Sequence, residues 1–305
     1  MNELLKKKQG VACIALIYTL LWGLAFPFIK LCMSELSIVR DLDKCLLAGI
    51  RFTVSGAVLS VYAGVREKRA LPQKRDAFTV IGYGALGTAL QYACTFIGLS
   101  RVGGGVGAIF DQLCVFFVIL LGGIFLKNDR LTWKKVLGCA VGFVGVLAVN
   151  TEPAGFAFSF LGEGMMIIAA LCQTGAYFIA AVSADRLSAV RLVGNGQLVG
   201  GVLLLVISLC LGASIPKISL AGLLLLLALA AISAVAYVLS LMPLRYFPAS
   251  EVSVYNLLIP VFGVLMSGLI LREDILKWNY PVSLALICAG IILVNIKGKK
   301  NGKNI

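Results

Sequence analysis

The chain has 305 residues, 60% of them hydrophobic and only 13% charged, with a formal net charge of +13. It contains no histidine, which excludes Ser-His-Asp and Cys-His catalysis and histidine-ligated metal sites. A net charge this basic can point to nucleic acid, so its distribution along the chain has to be read before that partner is considered.

A bilayer core about 30 Å thick is crossed by roughly 20 helical residues rising about 1.5 Å each. Apolar stretches of that kind run over 11–33, 44–65, 77–100, 103–126, 133–150, 161–183, 190–212, 219–241, 249–271 and 278–296. They predict an all-α membrane protein with ten transmembrane helices and no separate water-soluble domain. Helix is expected because lipid offers no partner to backbone N–H and C=O groups. Runs such as Leu223 to Leu227 lack the alternation of a membrane β-barrel. The first stretch follows MNELLKKKQG, is too long for a signal-peptide core and lacks a clear cleavage site, so it reads as an uncleaved first span.

Counted from the N-terminal segment onward, alternate connecting segments hold nineteen Lys and Arg, and the intervening ones hold six. That bias places both termini in the cytoplasm of a multi-pass plasma-membrane protein. It also accounts for the net charge without nucleic acid, and the basic tail reads as a topology signal. Nine cysteines are scattered without a CxxC and read as packing residues. Cys32 and Cys45 both approach the outer face and are the pair that a disulfide could join.

The second half echoes the first about 145 residues later. GFVGVLAVN (142–150) aligns with ICAGIILVN (287–295), and the same offset lays Trp133 on Trp278, Tyr92 on Tyr237 and Leu99 on Leu244. Five spans per half is an odd number, so the second copy enters the membrane from the opposite side. The expected architecture is two inverted five-helix repeats, residues 1–150 and 151–305, an arrangement suited to alternating access.

Several motifs recur in order. They are WGLAFPFIKL (22–31), AGIRF (48–52), acidic Asp129 and Glu273 after the fourth and ninth spans, Gly138, Gly142, Gly145 and Gly290, AVAYVLSLMPLRYFPAS (234–250), and NLLIPVFG (256–263). Together they resemble the drug/metabolite transporter superfamily, in its ten-helix EamA-type branch, over nearly the whole chain. The resemblance implies a transporter, with export of an amino acid or related metabolite as the leading activity. A drug or organic-cation exporter of the same fold is the alternative, and a non-transporting membrane protein is the reading from another class. Without an ATPase motif, energy comes from a proton gradient or the solute's own gradient. The chain departs from the pattern at Val115–Phe116, where the ninth span has Pro260, and at Gln173–Thr174, where relatives often carry Trp.

An ionised side chain at the bilayer centre costs about 2.5–3.5 kcal/mol on insertion scales, so each intramembrane charge needs a reason. Asp111 lies eight residues after Gly103, and Arg51 seven after Lys44, at similar depth. Two readings are open: a structural ion pair between them, or Asp111 facing a cavity to bind a cationic group or a coupling proton. Lys30, near the end of the first span, reads as structural. The other substrate-binding candidates are Trp22, Gln91, Tyr92, Gln173, Tyr177, Tyr237 and Asn256, whose amides, phenols and indole can orient a polar solute in an apolar cleft. Asn195 and Gln197 read as packing residues. Pro27, Pro243 and Pro260 are expected to kink the first, eighth and ninth helices. Gly138-x-x-x-Gly142 and Gly196-x-x-x-Gly200 read as close helix contacts. Gly103–Gly105 lacks the Lys-Ser/Thr ending of a phosphate loop, so no nucleotide, cofactor or metal is expected.

Overall fold

The computed structural model describes residues 5–68, 73–126, 132–148, 151–152, 155–156, 158–214, 219–275 and 277–295. Helix lies over each expected stretch. We label α1 Lys8–Glu35, α2 Asp41–Glu67, α3 Lys74–Leu99 and α4 Gly104–Phe125. These are followed by α5 Trp133–Ala148, α6 Phe160–Ser183, α7 Ala189–Cys210 and α8 Leu220–Arg245. Helix α9 covers 249–271 in three pieces, and α10 is Asn279–Asn295. A two-residue antiparallel ladder, Thr151–Glu152 with Gly155–Phe156, separates α5 from α6.

Seven of these helices, α1 to α4 and α6 to α8, are long and apolar enough to cross a membrane. Helices α9 and α10 contain shorter apolar segments, Leu258–Leu271 and Asn279–Gly290, and α5 has 16 residues. Ten full-length spans were expected. The shortfall has two origins: α9 is interrupted by a tight turn, and α5 and α10 border residues outside the described set. Large apolar side chains cover the outside of the bundle, among them Val58, Val61, Phe78, Ile124, Leu220, Leu269 and Ile292. A surface of that kind suits lipid. The repeat-equivalent tryptophans Trp133 and Trp278 are 76% and 60% exposed, the outward placement that interfacial anchors need.

The helices pack in pairs that reproduce one another when each helix is exchanged for the one five places away. Helix α2 packs along α7, α5 along α10, and α4 against α9, each pair being its own image. The α1–α8 contact has its image in α3–α6, and α1–α9 in α4–α6. Individual residues obey the same exchange. A Cβ added at Gly56 would meet the backbone of Leu198, and one added at Gly201 would meet the backbone of Thr53, the same pair shifted by 145 in each member. Likewise Gly145 lies against Ser283 and Ile287, and Gly290 against Gly138 and Gly142. Gly196 and Gly200 lie against Gly84. Helices that approach this closely gain dispersion contacts, which drive association where the solvent is itself apolar.

Prolines do not dominate the irregularities. Pro27 sits inside α1, which is helical throughout. Pro243 lies in the 3-10 turn that closes α8, so the expected kink inside that helix is replaced by its last turn. Helix α3 carries a π segment at Ala85–Leu90. Helix α4 breaks at Asp111–Gln112, where Cys114 N–H bonds to Asp111 O and Val115 N–H to Gln112 O. Helix α9 tightens to 3-10 at Val254–Leu257, 145 residues later, just before Pro260. Only the proline-bearing repeat was expected to break, yet both do, at equivalent positions. Mid-helix tightening of this sort commonly marks a hinge. All nine cysteines are free, so Cys32 and Cys45 are not joined.

Candidate functional site

Two small cavities lie between the halves of the bundle. The first, about 30 Å³, is lined by Trp22, Ala25, Phe26, Ile29, Arg51, Gln91, Tyr92, Thr95, Asp111 and Gln173. The second, about 20 Å³, is lined by Trp22, Tyr83, Gln91, Gln173, Ala176, Tyr177, Tyr237, Ser240, Leu241 and Asn256. Trp22, Gln91 and Gln173 are common to both. All eight residues expected from sequence to bind the solute therefore gather around one centre, contributed by both halves. Those volumes hold a water molecule or two, so the site as it stands is too small for an organic solute.

Polar atoms around the centre lack partners. Trp22 Nε1, Arg51 Nη1, Gln91 Oε1, Gln173 Oε1, Tyr177 OH and Asn256 Oδ1 are buried with no hydrogen bond among the described residues. Buried polar groups are normally paired, and six exceptions converging on one place call for a polar ligand or water. The bonds that do form hold the wall. Tyr92 and Tyr237, counterparts in the repeat, share a hydrogen bond between their hydroxyls at 2.6 Å, and Gln91 Nε2 donates to Tyr237 OH at 3.5 Å. Trp22 packs edge-on against Tyr237 with ring centroids 5.1 Å apart.

The two intramembrane charges face the same cavity without meeting. Arg51 is buried to 1% exposure; its Nε donates to Ser233 Oγ at 2.7 Å and Leu229 O at 3.1 Å. Its guanidinium lies over the rings of Phe52 and Tyr92, 4.9 and 5.6 Å from their centroids. No carboxylate approaches within 4.0 Å of it among the described residues. The ion pair between Arg51 and Asp111 is therefore not made; the guanidinium bonds through Nε to the α8 backbone and Ser233 instead. Asp111 sits at the break in α4 with no hydrogen-bond or ion-pair partner for its carboxylate among the described residues. Lys30 lies 3.8 Å from Glu273. Sequence reasoning missed Arg51, Thr95 and Tyr83 as cavity residues. For Arg51 the signal was present, since a charge so deep in an apolar span is functional by default.

Each end of the bundle has a vestibule. One, about 530 Å³, lies at the start of α2 and is lined by Lys30, Ser34, Ser37, Lys44 and Ser100. The other, about 190 Å³, lies at the end of α2 and is lined by Glu67, Ala184, Leu187, Ala189, Leu241 and Arg245. These are counterparts: Lys44 and Ser100 stand 145 residues before Ala189 and Arg245, and Ser34 and Ser37 stand 150 before Ala184 and Leu187. Leu241 lines both the second cavity and the smaller vestibule, so one side chain separates them. At the opposite end Glu273, from the α9–α10 connection, accepts the backbone N–H groups of Gly104 and Gly105 at 2.8 and 3.1 Å. A carboxylate there stabilises the α4 N-terminus and explains the glycine cluster. Its sequence counterpart Asp129 lies outside the described residues. The packing residues of α7 behave differently: Gln197 Oε1 accepts from Ser55 at 2.5 Å and Asn195 Nδ2 donates to Arg191 O. Among the described residues no group of three or more His, Cys, Asp or Glu side chains gathers to hold a metal.

The EamA-like transporter family matches this chain twice, over residues 9–151 and 160–296. The chain belongs to that family. That family is one of multi-pass membrane transporters, in keeping with the drug/metabolite transporter superfamily. The chain is 23% identical to the uncharacterised transporter YetK of Bacillus subtilis, across 86% of this chain and 81% of that one. It is 30% identical to an uncharacterised transporter of Archaeoglobus fulgidus over 44% of each chain. It is 29% identical to a protein of Escherichia coli named as a probable amino-acid metabolite efflux pump, over 48% of this chain and 44% of the relative. The chain thus spans less than half the length of the latter two. A solved crystal structure shares the fold with a TM-score of 0.73 at 18% identity, over 95% of this chain and 97% of its own.

Proposed function

We propose that this EamA-family chain is a secondary active carrier exporting a small organic metabolite, an amino acid or close relative, across the plasma membrane. In this reading ten membrane-crossing helices form two inverted five-helix repeats, 1–150 and 151–305, with both termini in the cytoplasm. One observation carries it: a narrow polar centre built by both halves lies between two vestibules whose residues exchange under the repeat offset. A body with that symmetry has two arrangements of similar energy, one open at each end, and rocking between them moves the centre from one face to the other. The positive-inside bias makes the Glu67–Arg245 vestibule cytoplasmic and the Lys30–Lys44 vestibule external. Leu241 is then the thin inner wall, and Glu273 on the α4 N-terminus fastens the outer one. The name of the Escherichia coli relative supports amino-acid metabolites as the cargo. Asp111 is the group that couples export to protons.

The test uses the purified chain in proteoliposomes, assayed for counterflow of labelled amino acids, lipophilic cations, sugars and organic acids. Saturable amino-acid flux driven by an opposing pH gradient is expected, with the pH dependence lost in Asp111→Asn. Preferential flux of lipophilic cations would establish the drug-exporter alternative, and absence of flux for every class would overturn the carrier reading.

A further inference from the structure

We infer that Arg51 and Asp111 form a split-charge clamp that takes both ends of a zwitterionic head group, Arg51 the carboxylate and Asp111 the ammonium. This rests on the carrier reading above and assigns the chemistry of its central site. Two opposite charges line one buried cavity, and neither neutralises the other. An uncompensated buried charge costs several kcal/mol, so a site holding one of each without pairing them is built for a ligand that supplies both partners. A simple cation satisfies Asp111 and leaves Arg51 alone; a simple anion does the reverse.

The geometry assigns the ends. The Arg51 guanidinium is held at Nε by Leu229 O and Ser233 Oγ and sits over two aromatic rings. That leaves Nη1 buried and unpaired in a planar fork, the arrangement that binds a carboxylate through two parallel bonds. Asp111 has only acceptors and no donor of its own, which suits an ammonium with three N–H groups. It sits at the broken turn of α4, where the helix can adjust to a ligand. Trp22, Gln91 and Gln173, shared with the second cavity, stand where the remainder of the solute passes from the charged compartment to the aromatic one. The compartment is smaller than any amino acid, so the walls must part before the clamp closes on its ligand.

The closing experiment measures binding to the full chain in nanodiscs by thermal shift, first with the proteinogenic amino acids. The best-binding amino acid is then compared with its own amide and its own N-acetyl derivative. The amide and the N-acetyl derivative are each expected to bind about 10–100-fold more weakly, the worth of a hydrogen bond to a charged group. Arg51→Lys narrows the gap between the amino acid and its amide, and Asp111→Asn narrows the gap to the N-acetyl form. The wild-type series decides the matter even where a variant fails to fold. Equal binding of all three compounds overturns the clamp. So does the absence of any amino-acid shift from a chain that transports another solute, an outcome that leaves the carrier reading standing; no flux of any solute removes that reading itself.

Discussion

The α2–α7 crossing and the central cavities lie next to each other and are built on opposite rules. Along the crossing, backbone meets backbone at Gly56 and Gly201 with no room for a Cβ, and Ser55 bonds to Gln197, although Thr53 Oγ1 and Ser60 Oγ are buried without a partner among the described residues. Around the cavities, six buried polar atoms have no partner, and the aromatic walls leave space between them. What separates the two regions is how closely the helices approach: contact without room for a Cβ at the crossing, and open space lined by unpaired polar groups at the centre. A rigid pairing of the two halves, beside a centre that is incomplete without a ligand, is what a body that rocks about fixed contacts requires.

The largest effect expected on this contrast comes from Gly56→Leu, which drives a branched side chain into the backbone of Leu198. Overpacking of this kind costs about 1–3 kcal/mol or more. The melting temperature in detergent should fall and the yield of folded protein with it; an unchanged melting temperature would mean that the crossing is not rigid. A smaller effect is expected from Glu273→Gln. It retains the shape of the α4 cap and removes the charge that faces two N–H groups and Lys30. The expected loss is about 0.3–1 kcal/mol. It should appear as greater reactivity of a cysteine placed at Ser34 toward an impermeant thiol reagent, and equal reactivity in both proteins would show that Glu273 does not fasten that end.

A tighter test of the exchange relation is the hydrogen bond between Tyr92 and Tyr237, counterparts that meet each other. Either Tyr→Phe change breaks the same bond, so each costs about 0.6 kcal/mol and the double variant scarcely more than one. The additional donor from Gln91 makes Tyr237→Phe the costlier of the two. Full additivity of the two changes would mean that the hydroxyls are held by other partners.

Much of this arrangement was legible in the residues. Apolar length located the helices, and the 145-residue echo laid Tyr92 on Tyr237 as repeat counterparts, though not as a contact. The eight polar candidates were found because each is an exception in an apolar stretch, and such exceptions face inward where lipid surrounds the bundle. Of the two readings left open for Arg51 and Asp111, the ion pair is not made: opposite charges at equal depth suggest attraction, and sequence spacing does not reveal that Ser233 and the Leu229 carbonyl hold the guanidinium at Nε. The break at Asp111 was missed because proline was the only helix-breaker sought. Here the α4 turn tightens without one, in the same repeat position as Val254–Leu257. Glu273 was noted as an acidic residue, but its role as the cap of α4 depends on a contact between residues 169 apart in sequence.

The smallest expected stability effect is the most discriminating, because its sign is opposite to that at the crossing. Gln173 belongs to both cavities, and its Oε1 is buried without a donor. Gln173→Leu keeps roughly the same volume and removes a buried amide oxygen that no described residue satisfies. Replacing an unsatisfied polar group by an apolar one of similar shape is close to neutral or stabilising. The melting temperature of the ligand-free protein should therefore hold or rise, while the stabilisation conferred by a bound solute shrinks, since the side chain that would meet it is gone. A fall in melting temperature comparable to that of Gly56→Leu would place Gln173 among the packing residues with Gln197. In that case the polar centre would lose the side chain that joins its two compartments.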